Sequence, residues 1–263
     1  EPLKTLSRFQ GRTVTSGNKD IVTGTAGATA APGSFAIEVV QLATPQKLRS
    51  GVFAADTTAV GTGSLVVTTG GKSMTLVVDA THGTLAGIRD AVNAASDNPG
   101  VTASIVTGTA GAQLVLTARS TGASNAITVT QSGGDGGLAS LVYDPANSIL
   151  NLTEVSAARD ASILVDGVAV TSATNSFTSA ISGLTIDATG VSTVGEPTTL
   201  TIAYDTTGAR SRIDEFVGAY NSLVDNLRAL ASYDPETKVA GPLLGDATYR
   251  DFSESVRRLM STA

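Results

Sequence analysis

The chain holds 263 residues, 41% of them hydrophobic, which is enough to bury real cores and sets an expectation of about two domains. Its 17 Lys and Arg against 23 Asp and Glu leave a net charge of −6, the wrong sign for gripping nucleic acid or an anionic membrane surface. With no cysteine, no tryptophan and one histidine, the inventory excludes disulfides, thiolate nucleophiles and metal sites built on cysteines or paired histidines.

No run approaches the roughly 18 apolar residues of a membrane span, so the reading is a soluble chain without membrane insertion. It starts at Glu1-Pro2 and stops at Ala263 inside a helical pattern, and so reads as a piece of a longer protein. Phe35, Ile37 and Val39 alternate with small or polar residues and predict a half-buried strand. Leu65-Val66-Val67 and Leu76-Val77-Val78 flank Gly70-Gly71 and predict a hairpin. Thr84 can then N-cap a helix over about 84–97, whose residues Leu85, Ile88, Val92 and Ala95 share a face that packs on a sheet. Asn98-Pro99-Gly100 closes it.

Alternation resumes at Val101, Ala103 and Ile105. A second hairpin is predicted where Ile163-Leu164-Val165 and Val168-Ala169-Val170 flank Asp166-Gly167, followed by strands at Leu184, Ile186 and at Leu200, Ile202, Tyr204. The hexapeptide Thr-Gly-Thr-Ala-Gly-Ala occurs at 23–28 and at 107–112, a coincidence expected of so Thr- and Gly-rich a chain.

Near residue 209 the composition changes: residues 1–208 hold 34 of the 37 Thr, while the last 55 hold 15 of the 40 charges. Strands in the first part and helices in the second predict an α+β class with segregated parts. Ile213, Phe216, Tyr220, Leu223, Leu227 and Leu230 form a helical stripe widened by Val217 and Val224, with Asp214 and Glu215 near its N-terminal end and Tyr233-Asp234-Pro235 as its stop. Tyr249, Phe252, Val256 and Leu259 mark a second helix, capped by Asp246 or Thr248 and antiparallel to the first. Such short seams read first as an amphipathic face on a local core and second as a coiled-coil contact. The width of the first stripe calls for more than one covering partner, from further chain or a neighbouring subunit.

Candidate chemistry is sparse. His82 beside Asp79 reads as a polar turn rather than a metal site. Ser132-Gly133-Gly134-Asp135-Gly136-Gly137 lacks the lysine of a phosphate loop and reads as a flexible loop. Asp166 is explained by its turn, and Asp234, Glu236 and Asp246 by turns and caps. No catalytic, cofactor or metal site is predicted, and the chain does not read as an enzyme.

Phe216-Val217-Gly218-Ala219-Tyr220-Asn221-Ser222-Leu223, Tyr233-Asp234-Pro235-Glu236-Thr237 and Gly241-Pro242-Leu243-Leu244-Gly245-Asp246 occur in order over about thirty residues, and together they resemble the bacterial flagellar filament cap family. Upstream, the segment from Gly33-Ser34-Phe35 to Gln41-Leu42-Ala43 resembles that family's N-terminal region. Thr84-Leu85 through Val92-Asn93, then Gly100 to Val106, Leu114-Val115-Leu116-Thr117 and Thr121 to Ile127 resemble the insert motif of flagellins and hook-associated proteins. Ala118-Arg119 stands where that motif often has serines, and Val92 where it often has isoleucine. The resemblance runs from about Phe9 to Met260.

The resemblance implies two mainly-β head domains, one inserted in the other, followed by a helical leg. Residues 9–50 and 155–205 would form the first head, 51–154 the inserted one, and 1–8 with 206–263 part of the leg. It implies an extracellular, secreted assembly factor at the flagellum tip, a self-associating ring that promotes flagellin insertion, with the hook-filament junction protein and an export chaperone as further partners. Adhesion to host mucin or glycans through the heads is the alternative. Asp225, Arg228, Arg250, Glu254 and Arg257, pointing outward on the leg helices, are the candidate subunit contacts. Phe216, Tyr220, Asn221, Asp234, Pro235, Gly241, Pro242, Leu243, Gly245 and Asp246 carry the family motif.

Overall fold

A computed structural model describes residues 10–261, with side chains described to Arg258 in the last helix. Residues 1–8, Phe9, the Leu259 side chain of the second stripe and Met260 lie outside the described residues or side chains. The architecture is α+β. Strands β1 (Arg12–Ser16), β2 (Val22–Ala26), β3 (Gly33–Gln41) and β4 (Lys47–Arg49) come first. Then follow β5 (Gly63–Thr69), β6 (Lys72–Val78), helix α1 (Leu85–Ala94), β7 (Val101–Gly108), β8 (Gly111–Ala118), β9 (Thr128–Ser132), β10 (Tyr143–Asp144), β11 (Ile149–Leu150) and β12 (Thr153–Ser156). The chain returns through β13 (Ala161–Val165), β14 (Val168–Ser172), β15 (Ser176–Ile181), β16 (Leu184–Ala188) and β17 (Thr198–Tyr204). It ends in α2 (Thr206–Ala231), the short strands β18 (Tyr233–Asp234) and β19 (Val239–Ala240), and α3 (Ala247–Ser261).

Residues 12–203 form one compact unit with two cores, and residues 204–261 with Gln10 and Gly11 form another. In the first core, the sheet β1-β17-β3-β13-β14 and the sheet β15-β16-β2 bury Ile37, Val39, Ile163, Phe177, Ile186 and Leu200. These are the inward positions of the alternating runs, as period-2 patterning requires. Tyr204 is the exception: it stays 59% exposed because β17 is leaving the sheet for α2. The second core lies between the sheets β11-β10-β9-β5-β6 and β12-β4-β8-β7, with Leu85, Ile88 and Val92 of α1 contributed to it.

The crossing between the cores is made by paired strands. β4 and β12 run antiparallel, Arg49 opposite Thr153 and Leu48 opposite Glu154, and β4 also pairs with β8. Leu48 is fully buried in the second core, so the chain enters that lobe at Lys47, earlier than the expected boundary at residue 51. Just before the crossing, Gln46 is 3% exposed. Its side-chain amide donates to Glu154 Oε1 (2.6 Å), its carbonyl accepts the Ile127 N–H (2.5 Å), and its backbone carbonyl accepts that of Ala118 (2.9 Å). Two further bonds tie the lobes: Thr121 Oγ1 donates to the Ala173 carbonyl and the Ala123 N–H to Asp160 Oδ1, each at 2.7 Å.

Local chemistry explains the smaller elements. Thr84 accepts the Gly87 N–H and caps α1, which stops at Ala94 rather than near 97 because Ala95 turns extended and Asn98 Nδ2 donates to the Val92 carbonyl (2.7 Å). The loop 132–137 is packed rather than loose. Asp135 Oδ1 accepts the N–H groups of Thr62 and Gly137, while Gly134 and Gly137 press so closely on the backbone of 60–63 that a Cβ would collide with it. The two copies of the hexapeptide fold differently, one running along β2 into a turn and the other forming the tip of the β7-β8 hairpin. Asp166 does more than turn the chain at φ +47°: its Oδ1 accepts the Ala36 N–H (2.8 Å) and its N–H donates to the Ala36 carbonyl (2.9 Å), stitching the hairpin tip to β3. Asp166→Ala removes that acceptor and puts at positive φ a residue that tolerates it less well than Asp, and is expected to cost about 1–2 kcal/mol in chemical denaturation, whereas Asp166→Asn, which keeps an acceptor oxygen and the tolerance for that conformation, is expected to lose less than half of that.

Candidate functional site

The helical unit is held at its turns rather than by a core. Asp205 caps α2, its Oδ1 accepting the Gly208 N–H at 2.8 Å. This start lies two turns before the expected one, so Asp214 is a mid-helix residue that meets Arg210 at 3.8 Å instead of facing the helix N-terminus. None of the 26 residues of α2 is buried. Phe216, Tyr220, Val224 and Leu227, spaced on one face, are half-buried, while Ile213, Val217, Leu223 and Leu230 are 49%, 45%, 39% and 42% exposed. The expected local core is therefore only half made, because α3 is a single 15-residue helix and covers one side of a broad stripe.

The family-motif residues build the reversal between the helices. Asp234 Oδ1 accepts the N–H groups of Glu236 and Thr237, forming with Pro235 the turn of the small β18-β19 hairpin. Gly241 then lies so close to the Leu230 carbonyl oxygen that a side chain would occupy the same space. That approach lets the Gly241 N–H donate to the Ser232 carbonyl (2.8 Å) and the Leu243 N–H to Leu230 (3.0 Å), supplying partners at the end of α2. Pro242 sits between those two donors, where it needs no N–H of its own. Gly245 takes φ +86°, and Asp246 caps α3 by accepting the Tyr249 N–H at 3.1 Å. Of the acid cluster, Asp234 thus serves a turn and Asp246 a cap. Backbone donors hold Asp246 below the usual carboxylate range, and Asp234 is lowered first by the Thr237 hydroxyl and then by backbone bonds.

Beside this reversal, α2 and α3 line an open groove of 290 Å³, in which Tyr220, Asn221, Asp225 and Arg228 face Tyr249 and Arg257. Three of the five candidate contact residues, Asp225, Arg228 and Arg257, come together there, with Arg228 3.6 Å from Asp225. Arg250 and Glu254 are exposed on α3 outside the groove lining. Sequence reasoning missed the role of Gly241 and Leu243 in ending α2; a Gly-Pro pair shortly after a helical stripe was the available signal. His82 closes the turn before α1, with Nδ1 2.9 Å from both Asp79 Oδ1 and Thr81 Oγ1. Bonds from Thr81 and then His82 hold the Asp79 carboxylate far below its usual range.

The pattern for the flagellar hook-associated protein 2 C-terminus matches residues 158–263, that for its N-terminus residues 1–46, and the flagellin hook IN motif residues 64–120. The flagellar cap protein FliD of Escherichia coli, solved over its D1-D2-D3 domains, superposes with a TM-score of 0.84 at 32% identity, covering 99% of this chain and 72% of that one. The chain belongs to the flagellar hook-associated protein 2 family. FliD (HAP2) from Pseudomonas aeruginosa PAO1 gives a TM-score of 0.69 at 33% identity, over 78% of this chain and 93% of that one. In sequence, the B-type flagellar hook-associated protein 2 of P. aeruginosa is 35% identical over 95% of this chain and 56% of its own length, and the E. coli K12 hook-associated protein 2 is 34% identical over 96% and 56%. The chain spans about half the length of these curated relatives.

The motif that points to the hook-associated protein 2 family is thus the one that caps both helices. Gly241→Ala is expected to destabilise the helical unit by about 2 kcal/mol or more, read as lost hydrogen-exchange protection over residues 222–231 with the β lobes unaffected. Because the folded values of Asp234 and Asp246 lie below the unfolded 3.8, their stabilisation is complete above that value and is lost as pH falls through it toward the folded pKa. Helical circular dichroism should fall in that acid window, and less so in Asp246→Asn.

Proposed function

We propose that this chain is the head and upper leg of a flagellar filament cap, a structural assembly factor rather than an enzyme. The observation that carries the reading is the 26-residue helix α2, whose apolar stripe has no buried residue. An amphipathic helix left half-covered is stable only when further chain or a neighbouring subunit completes it, which is how a ring held by leg contacts would be built. Asp225, Arg228, Arg250, Glu254 and Arg257 would steer that contact, as exposed charges at a rim do. The two β lobes would form the plate above the filament end, and flagellin, exported unfolded, would be retained beneath it. The same reading brings an extracellular location at the tip, an export chaperone before secretion and the hook-filament junction protein as the first surface capped. Adhesion is set aside, since nothing in the relatives or in the geometry favours it.

Immunogold electron microscopy with antibody against residues 12–203 is expected to label distal filament tips; label along the shaft, or none on filaments, would overturn the reading. In the full-length protein, the double reversal Asp225→Arg, Arg257→Asp is expected to weaken ring assembly about three- to tenfold by analytical ultracentrifugation. An unchanged ring would remove those residues from the interface.

A further inference from the structure

The second β lobe ends in two unlike edges, on either side of α1. In the β7-β8 hairpin, Gly108 faces Gly111 across a two-residue tip, so Val101, Ala103, Ile105 and Thr107 turn their N–H and C=O groups outward. Two asparagines meet that edge. Asn93 of α1 donates to the Ala103 carbonyl (2.8 Å) and accepts its N–H (3.0 Å), and Asn98 does the same for Val101, both at 2.8 Å.

On the opposite side, β6 is the outer strand of its sheet and pairs with β5 in an unbroken register from Gly63 opposite Val78 to Thr69 opposite Lys72. Its two-residue tip, Gly70-Gly71, makes Thr69 and Lys72 a hydrogen-bonded pair, so Ser73, Thr75 and Val77 direct their backbone groups away from the sheet. All three are exposed, Val77 to 78%, and among the described residues no side chain caps them. The strand is seven residues long with no proline and no bulge. Edges of this kind are normally blunted. Beside it, α1 presents Gly87, Ala91 and Ala94 with Asp90 among them, and these residues and His82 leave an open groove of 380 Å³ against Val77 and Val78. Charge is ordered along the edge, with Lys72 at the hairpin tip and the carboxylate of Asp79 at the other end.

We propose that the β6 edge and its groove receive an extended polypeptide segment that adds antiparallel to β6, with β-branched residues toward α1, a basic residue near Asp79 and an acidic one near Lys72. Strand addition gains affinity from main-chain bonds and direction from the two end charges. The occupant is an unfolded filament subunit, an identification that rests on the cap reading above. Retention by backbone bonds suits a client that has no folded surface to recognise.

The test is fluorescence anisotropy of labelled Lys-Thr-Val-Thr-Val-Thr-Glu titrated with the whole chain. Saturable binding is expected, weaker for the peptide with its end charges exchanged. Thr75→Pro removes an outward N–H that β5 does not use, so binding should fall at least about tenfold while thermal unfolding is little changed. Lys72→Glu should transfer preference to a peptide ending in Lys, a gain that misfolding would not produce. No saturable binding, binding indifferent to both variants, or a proline variant that abolishes self-association instead would each overturn the proposal. Filament assembly plays no part in the assay, so tip labelling can fail while binding stands, or the reverse.

Discussion

Inserting one β lobe into another requires the chain to leave and return at a single place without leaving backbone groups unpaired in the crossing. β4 and β12 satisfy this by pairing with each other, and β4 with β8, so the two passages become part of a sheet. Gln46 secures the point of departure. Its buried amide bonds Glu154 on the returning strand and the backbone of Ile127 in the inserted lobe, and a partner lost there would strand a buried polar group. On the first lobe's side the chain reaches the crossing directly from β3, which ends at Gln41, and leaves it for β13, which begins at Ala161.

The β lobes and the helical unit handle apolar surface in opposite ways. In the lobes, Thr-rich strands bury every second residue and complete two cores from the chain's own material. In the helical unit, caps and turns are complete while the apolar stripe is not: every motif residue from Asp234 to Asp246 serves the reversal, and Ile213, Val217 and Leu230 remain in solvent. A segment whose ends are finished and whose face is unfinished is suited to assembly. The membership in the hook-associated protein 2 family gives that face its context.

The inserted lobe shows the same division at smaller scale. Asn93 and Asn98 occupy the outward bonds of Ala103 and Val101 in β7, and nothing among the described residues occupies those of β6. Since α1 touches both strands, the difference comes from which of its residues face each: Asn93 bonds the backbone of β7, while Gly87, Asp90, Ala91 and Ala94 line the groove beside β6 without bonding its backbone. None of this is visible in periodicity, which reports only which residues are apolar.

Local signals were legible in the sequence wherever the physics is local. The Asp166-Gly167 and Gly70-Gly71 tips, the Thr84 and Asp246 caps and the period-2 runs all follow from backbone preferences within a few residues, and the structure places them as read except at Tyr204. Readings failed where a distant partner decided. The loop 132–137 looks loose in sequence because glycines permit many conformations, yet it is closed by Asp135 and by packing against residues 60–63. The repeated hexapeptide, read as a coincidence, adopts two folds because its neighbours in the sheets differ, which agrees with that reading. Alone, the sequence determined the segregation of strands from helices, the turns and caps, and the family. Tertiary structure decided where the chain crosses between lobes, which face of α2 stays uncovered and which sheet edge stays open, because each depends on contacts between residues far apart in the chain, whose hydrogen bonds and packing no local preference encodes.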